Sequence, residues 1–72
     1  MSLQQRMFNA RLQVGLTQTQ VGIVLEPVQP RRNVCGWEKG RCEPSLDMIK
    51  QLAEVLNVKP CWLAWGIDHG AR

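Results

Sequence analysis

Arg31-Arg32-Asn33-Val34-Cys35-Gly36-Trp37-Glu38-Lys39-Gly40 is the stretch on which the fold turns. Pro27 and Pro30 stand just before it, and a glycine closes it. Val34 and Trp37 are three apart and share one face of a helix. Arg31, Arg32 and Cys35 fall largely on another face. The segment therefore predicts a short helix, about Arg31 to Glu38, with an apolar back and a basic leading edge. Such a helix suits a DNA groove. Taken alone, it equally describes a surface helix whose charges are solvated.

Upstream, Leu3 to Val14 predicts a first helix, with Leu3, Met7, Ala10 and Val14 along one apolar face. Ser2 supplies an N-cap, and Gly15 with Leu16 a left-handed C-terminal cap. Arg11 lies at the edge of that face, either solvated or paired with a buried acid. Thr17-Gln18-Thr19-Gln20 is a capping-box pattern and opens a second helix, about Gln18 to Leu25. Val21 and Leu25 face its core side, with Val24 close by. Gly22 weakens this helix by up to ~1 kcal/mol and implies another helix passing close. Pro27 ends it near Glu26, and Pro30 sits at the first turn of the third helix. Gly36 costs that helix stability and lets backbone approach a partner.

Downstream, Lys39 to Glu43 reads as a basic loop. Ser45 caps a fourth helix whose stripe is Leu46, Ile49, Leu52, Ala53 and Leu56, with Asp47 in the favourable first turn. Asn57 tolerates the left-handed cap conformation. Pro60 opens a fifth helix at its first position, and Gly66 ends it. Trp62 and Leu63 read as a lid on the core. The expected architecture is all-α, five short helices around one core, a single domain over 1–72 with its folded part at about Leu3 to Gly66 and a loose tail from Ile67.

A chain of 72 residues buries only about 60% of its unfolded surface, so its core is small. Hydrophobic residues make up 44% of it, yet no run approaches the roughly 20 needed to span a membrane. With no apolar signal region at the N-terminus, a cytoplasmic protein without a membrane partner is expected. The net charge is +3 and the pI about 9.1, which permits nucleic-acid binding without requiring it. Placement says more: Arg31, Arg32, Lys39 and Arg41 crowd into eleven residues opposed only by Glu38. Cys35, Cys42 and Cys61 are odd in number and irregular in spacing. They read as reduced thiols rather than a disulfide framework or a zinc site, and no metal or other cofactor is expected. No carboxylate pair stands near a histidine and no glycine-rich phosphate loop is present, so an enzyme is not expected.

The order of motifs resembles the phage-repressor/Cro (Xre-type) helix-turn-helix family. The residues that carry the resemblance are Arg6 to Arg11, Gly15-Leu16-Thr17-Gln18, Trp37-Glu38-Lys39-Gly40, Glu43-Pro44-Ser45-Leu46 and Trp62-Leu63-Ala64-Trp65-Gly66. It implies a compact five-helix bundle of the lambda-repressor-like type, with helices two and three as the helix-turn-helix and helix three in the major groove. The implied DNA-facing set is Thr17, Gln18, Gln29, Arg31, Arg32, Asn33, Lys39 and Arg41. Arg31 and Arg32 would lead, either bidentate on guanine or on phosphates. Gln18 would touch a phosphate and brace helix three, while Lys39 and Arg41 would track the backbone. The resemblance further implies an ion pair between Arg11 and Glu38 that sets the angle of helix three; the alternative is two unrelated surface charges. It also implies a homodimer, at least on DNA, through Pro60, Ala64 and Trp65.

Three places depart from the family pattern. The turn before helix three is longer by about two residues than the usual tight turn and holds two prolines. Gly22 stands where alanine is common, and Gly36 lies in a helix that usually lacks glycine. The implied function is a sequence-specific transcriptional regulator acting on double-stranded operator DNA. A Cro-like stand-alone repressor of phage, prophage, plasmid or toxin–antitoxin origin is expected, with a protein partner if it is an antitoxin. The alternative is a protein-interaction adaptor that kept the fold and lost sequence-specific DNA binding.

Overall fold

The computed structural model describes residues 2–67. Within them the chain forms α1 (Leu3–Val14), α2 (Gln18–Ile23), α3 (Arg31–Lys39), α4 (Leu46–Val55) and α5 (Pro60–Trp65), with no strand among the described residues. Residues 68–72, most of the expected tail, lie outside the described residues.

Local signals set most of the boundaries. Ser2 Oγ accepts from Gln5 N at 3.2 Å and Ser45 Oγ from Met48 N at 3.2 Å. Thr17 and Gln20 satisfy one another's backbone N–H in a complete capping box. Gly40, at φ 78, and Asn57, at φ 60, close α3 and α4 in the left-handed region. Behind them, Arg41 N donates to Gly36 O and Val58 N to Ala53 O, both at 2.9 Å. These bonds take up carbonyls that a helix end otherwise leaves unpaired.

The end of α2 falls earlier than Leu25. To continue the helix, Glu26 N–H would have to reach the carbonyl of Gly22. Instead that carbonyl accepts from Leu25 N at 3.3 Å and Gln29 N at 3.0 Å. Glu26 N–H is taken by Gln51 Oε1 of α4 at 2.8 Å, and Gln51 Nε2 returns a bond to Glu26 O at 2.9 Å. The connection from Val24 to Pro30, in which the Glu26–Pro27 peptide is cis, is thus strapped to α2 at one point and to α4 at another. Gly22 belongs to this arrangement. A Cβ there would collide with the carbonyl oxygen of Gln29 and stand 3.5 Å from Val34 Cγ2. What passes closest to Gly22 is therefore the folded-back loop, with the expected neighbouring helix, α3, in van der Waals contact beside it through Val34.

The core gathers Met7 and Ala10 of α1, Val21 and Leu25, Val34 and Trp37 of α3, Met48, Ile49, Leu52, Ala53 and Leu56, and Leu63 of α5. Three apolar residues expected beside or in this core lie outside it. Val14 is 37% exposed, Val24 56% and Leu46 58%. Val14 and Leu46 are at the ends of their helices, where the stripe runs past the edge of so small a core. Val24 falls beyond the last turn of the shortened α2. Arg6 is buried instead, at 7% exposure. Its Nε donates to Leu63 O and its Nη2 to Ala64 O, each at 3.0 Å, which ties the end of α5 to α1.

Candidate nucleic-acid interface

The third helix is positioned by its apolar back. Val34 is fully buried and Trp37 nearly so, leaving Arg31, Arg32 and Lys39 in solvent. Arg31, Cys35 and Lys39 repeat every four residues and so run along one side of the helix. Arg41 continues the exposed charge into the loop beyond Gly40.

The start of α3 is chemically distinct. Its N-cap is Pro30, which offers no side-chain hydrogen bond, and its first turn holds no acid. Two arginines occupy that turn although the amide dipoles there already sum to partial positive charge. An uncapped helix end with added cations is electrostatically unfavourable in isolation and is relieved by an anion.

Behind this surface lies a brace. Arg11 Nε donates to Glu38 Oε2 at 2.7 Å and Nη2 to Oε1 at 3.2 Å. The Glu38 side chain is 4% exposed and that of Arg11 11%. Arg11 Nη1 also donates to Leu16 O at 2.9 Å, and its guanidinium sits 5.5 Å from the Phe8 ring centroid. Gln18 Nε2 adds a third bond to the carboxylate, on Oε1 at 2.9 Å. One carboxylate therefore fastens α1, α2 and α3 together. One hydrogen of the Gln18 amide is committed to it, so a phosphate can draw only on the other.

Thr17 spends its oxygen on the cap of α2. Gln29 and Asn33 are both half-buried and bonded to one another, Asn33 Nδ2 to Gln29 Oε1 at 2.9 Å. Gly36 departs from expectation. It is buried, and a Cβ there would meet Cys42 Sγ at 3.1 Å. Its bare backbone makes room for the chain's own loop and is not laid open to a partner. Among the residues of the proposed dimer surface, Trp65 is 64% exposed, Pro60 is exposed and Ala64 half-buried.

Two contributing residues escape a reading of the sequence. Arg6 stands three after Leu3 and four before Ala10, a spacing that does place it in the buried stripe of α1. Gln51 carries no local sign of its role. Its partner, Glu26, lies 25 positions away.

A helix-turn-helix family model matches residues 30–63, which run from Pro30 through Leu63 and so cover α3, α4 and the start of α5. No curated protein and no solved structure matches the chain. The matched segment includes α3, to which α2 is bonded through Gln18 and Glu38, and over that segment the chain is similar to the Xre/lambda-repressor-like helix-turn-helix family of DNA-binding regulators.

Proposed function

We propose that this protein is a sequence-specific DNA-binding regulator that represses transcription by occupying an operator. The observation that carries the reading is the start of α3, an uncapped, acid-free helix end bearing Arg31 and Arg32 on a helix locked from behind by Glu38. A surface helix without a ligand gains nothing from that combination, whereas phosphates and guanine edges satisfy it. Arg31, Arg32 and Asn33 are assigned to the major groove. Lys39, Arg41, Thr17 and the free hydrogen of Gln18 are assigned to the phosphates. The operator-bound form is a homodimer through Pro60, Ala64 and Trp65. A Cro-like repressor from a phage, prophage, plasmid or toxin–antitoxin locus, working in the cytoplasm, rests on the motif order alone.

A gel-shift titration against selected DNA, repeated across salt concentrations, tests this. If Arg31, Arg32, Lys39 and Arg41 each meet a phosphate, the log–log salt slope is about −3.6 per subunit, and each alanine replacement reduces it by about 0.9. An arginine that reads guanine instead loses preference at one base pair when replaced. Absence of salt-sensitive binding to any DNA would leave the adaptor reading in its place.

A further inference from the structure

Gln29 stands in the middle of a short relay. Its Nε2 donates to the Pro27 carbonyl oxygen at 2.9 Å, and its Oε1 accepts from Asn33 Nδ2 at 2.9 Å. Its own backbone N–H is fixed on Gly22 O at 3.0 Å. The relay has only one consistent direction. A carbonyl oxygen can only accept, so Gln29 must turn its NH2 to Pro27 and its oxygen to Asn33. Asn33 must then turn its NH2 to Gln29. A flipped Asn33 would set oxygen against oxygen. The backbone of the extended turn thus determines which way the asparagine amide points.

Asn33 follows directly on Arg31 and Arg32 in the first turn of α3 and is half-buried. After its bond to Gln29 it keeps one acceptor, Oδ1, and one Nδ2 hydrogen. A donor beside an acceptor is what adenine requires. Its major-groove edge offers the N6 amino group to Oδ1 and N7 to the remaining Nδ2–H. Guanine offers two acceptors at the same places and would set O6 against Oδ1. A free asparagine could rotate its amide to adapt, and the relay removes that freedom.

We infer that Asn33 reads an adenine and that Gln29 is the positioning residue that fixes its amide for that base. The inference rests on the reading of α3 as the recognition helix. It gives the longer, proline-bearing turn a purpose. Pro27 supplies the fixed acceptor, and Gly22 leaves room for the Gln29 backbone that carries the relay.

The test uses the full chain. In-vitro selection defines a bound site, and competition with every single-base variant of that site gives the preference at each position. The wild type is expected to require adenine at one position of the half-site. Asn33→Ala should lower that preference by about 5- to 150-fold and leave the other positions alone. Gln29→Met should lower it at the same position by about 2- to 10-fold, with the salt slope unchanged. If Asn33→Ala alters no single-base preference, or if Gln29→Met weakens every sequence equally, the inference is overturned while the regulator reading stands. A chain that selects no site and shows no salt-sensitive binding overturns both.

Discussion

Two glycines of this chain look alike in the sequence and have opposite physical surroundings. At Gly22 the obstacle to a side chain is a backbone oxygen, that of Gln29, a residue whose own N–H donates back to the Gly22 carbonyl. It cannot move without displacing the whole connection to α3. Gly22→Ala is therefore expected to destabilise the protein by about 1–3 kcal/mol, as overpacking does, despite alanine's better helix propensity. At Gly36 the obstacle is the thiol of an exposed cysteine, Cys42, which can rotate away. Gly36→Ala should be neutral or stabilise by up to about 1 kcal/mol. Urea unfolding of the two variants checks both signs at once. The Glu38 carboxylate presents a different problem, a charge with little solvent. Replacing Arg11 by methionine leaves that charge with Gln18 as its remaining side-chain partner. The expected loss is about 3–5 kcal/mol. Removing both charges, in Arg11→Met with Glu38→Met, should recover much of it, because two apolar side chains need no compensation there. A double-mutant cycle measures the difference. A cycle in which the two losses simply add would show that the pair does not act as a unit.

Among the elements, α3 differs from α1, α2 and α4 in lacking a side-chain cap. That difference makes a prediction about both stability and function. Pro30→Asp supplies a cap and a negative charge beside the helix N-terminus. It should raise stability by about 0.5–1 kcal/mol, after loss of the proline's restraint on the unfolded chain. It should also weaken DNA binding, since the new carboxylate occupies the position the phosphate would take and neutralises Arg31 or Arg32. Thermal unfolding and a binding titration on the same variant should move in opposite directions. If binding is unaffected, the anion does not sit at that helix end. How legible each element was depends on the range of the interactions that end it. The limits of α1, α4 and α5 follow from Ser2, Gly15, Ser45, Asn57, Pro60 and Gly66, residues at or beside the boundary, and the sequence displays them. The end of α2 depends on Gln51, 25 positions away. The burial of Arg6 depends on Leu63, 57 positions away. No local pattern contains such a partner. The same division holds in the site. The exposed row Arg31, Arg32, Lys39 and Arg41 is evident from charge order and helical spacing. The relay through Pro27, Gln29 and Asn33 appears only once the loop is folded.

At the scale of the whole molecule, the chain has two ends with different surfaces. The turn before α3 and the first turn of α3 carry the polar groups suited to DNA. The opposite end of the sequence carries a large apolar side chain in solvent. Trp65 is 64% exposed although Leu63, two residues before it, is completely buried. The short α5 on which it stands is held by Arg6 through the carbonyls of Leu63 and Ala64, so Trp65 projects from a fixed support. Among the described residues no helix is long and apolar enough to cross a membrane, and α5 is too short to be an exception. A fixed tryptophan in water suits the centre of a subunit contact, where this residue type is enriched and its loss often costs 2 kcal/mol or more, about 30-fold in affinity. Dimerisation through Pro60, Ala64 and Trp65 therefore leads to a specific expectation. In sedimentation velocity the wild type should shift toward twice its monomer mass as concentration rises. Trp65→Ala should need about 30-fold more protein for the same shift. Binding to a two-half-site operator should weaken with it, while binding to a single half-site, which needs one subunit, should not change. A wild type that stays monomeric at high concentration, both free and on the two-half-site DNA, would remove this surface from the mechanism and leave the exposure of Trp65 to another contact.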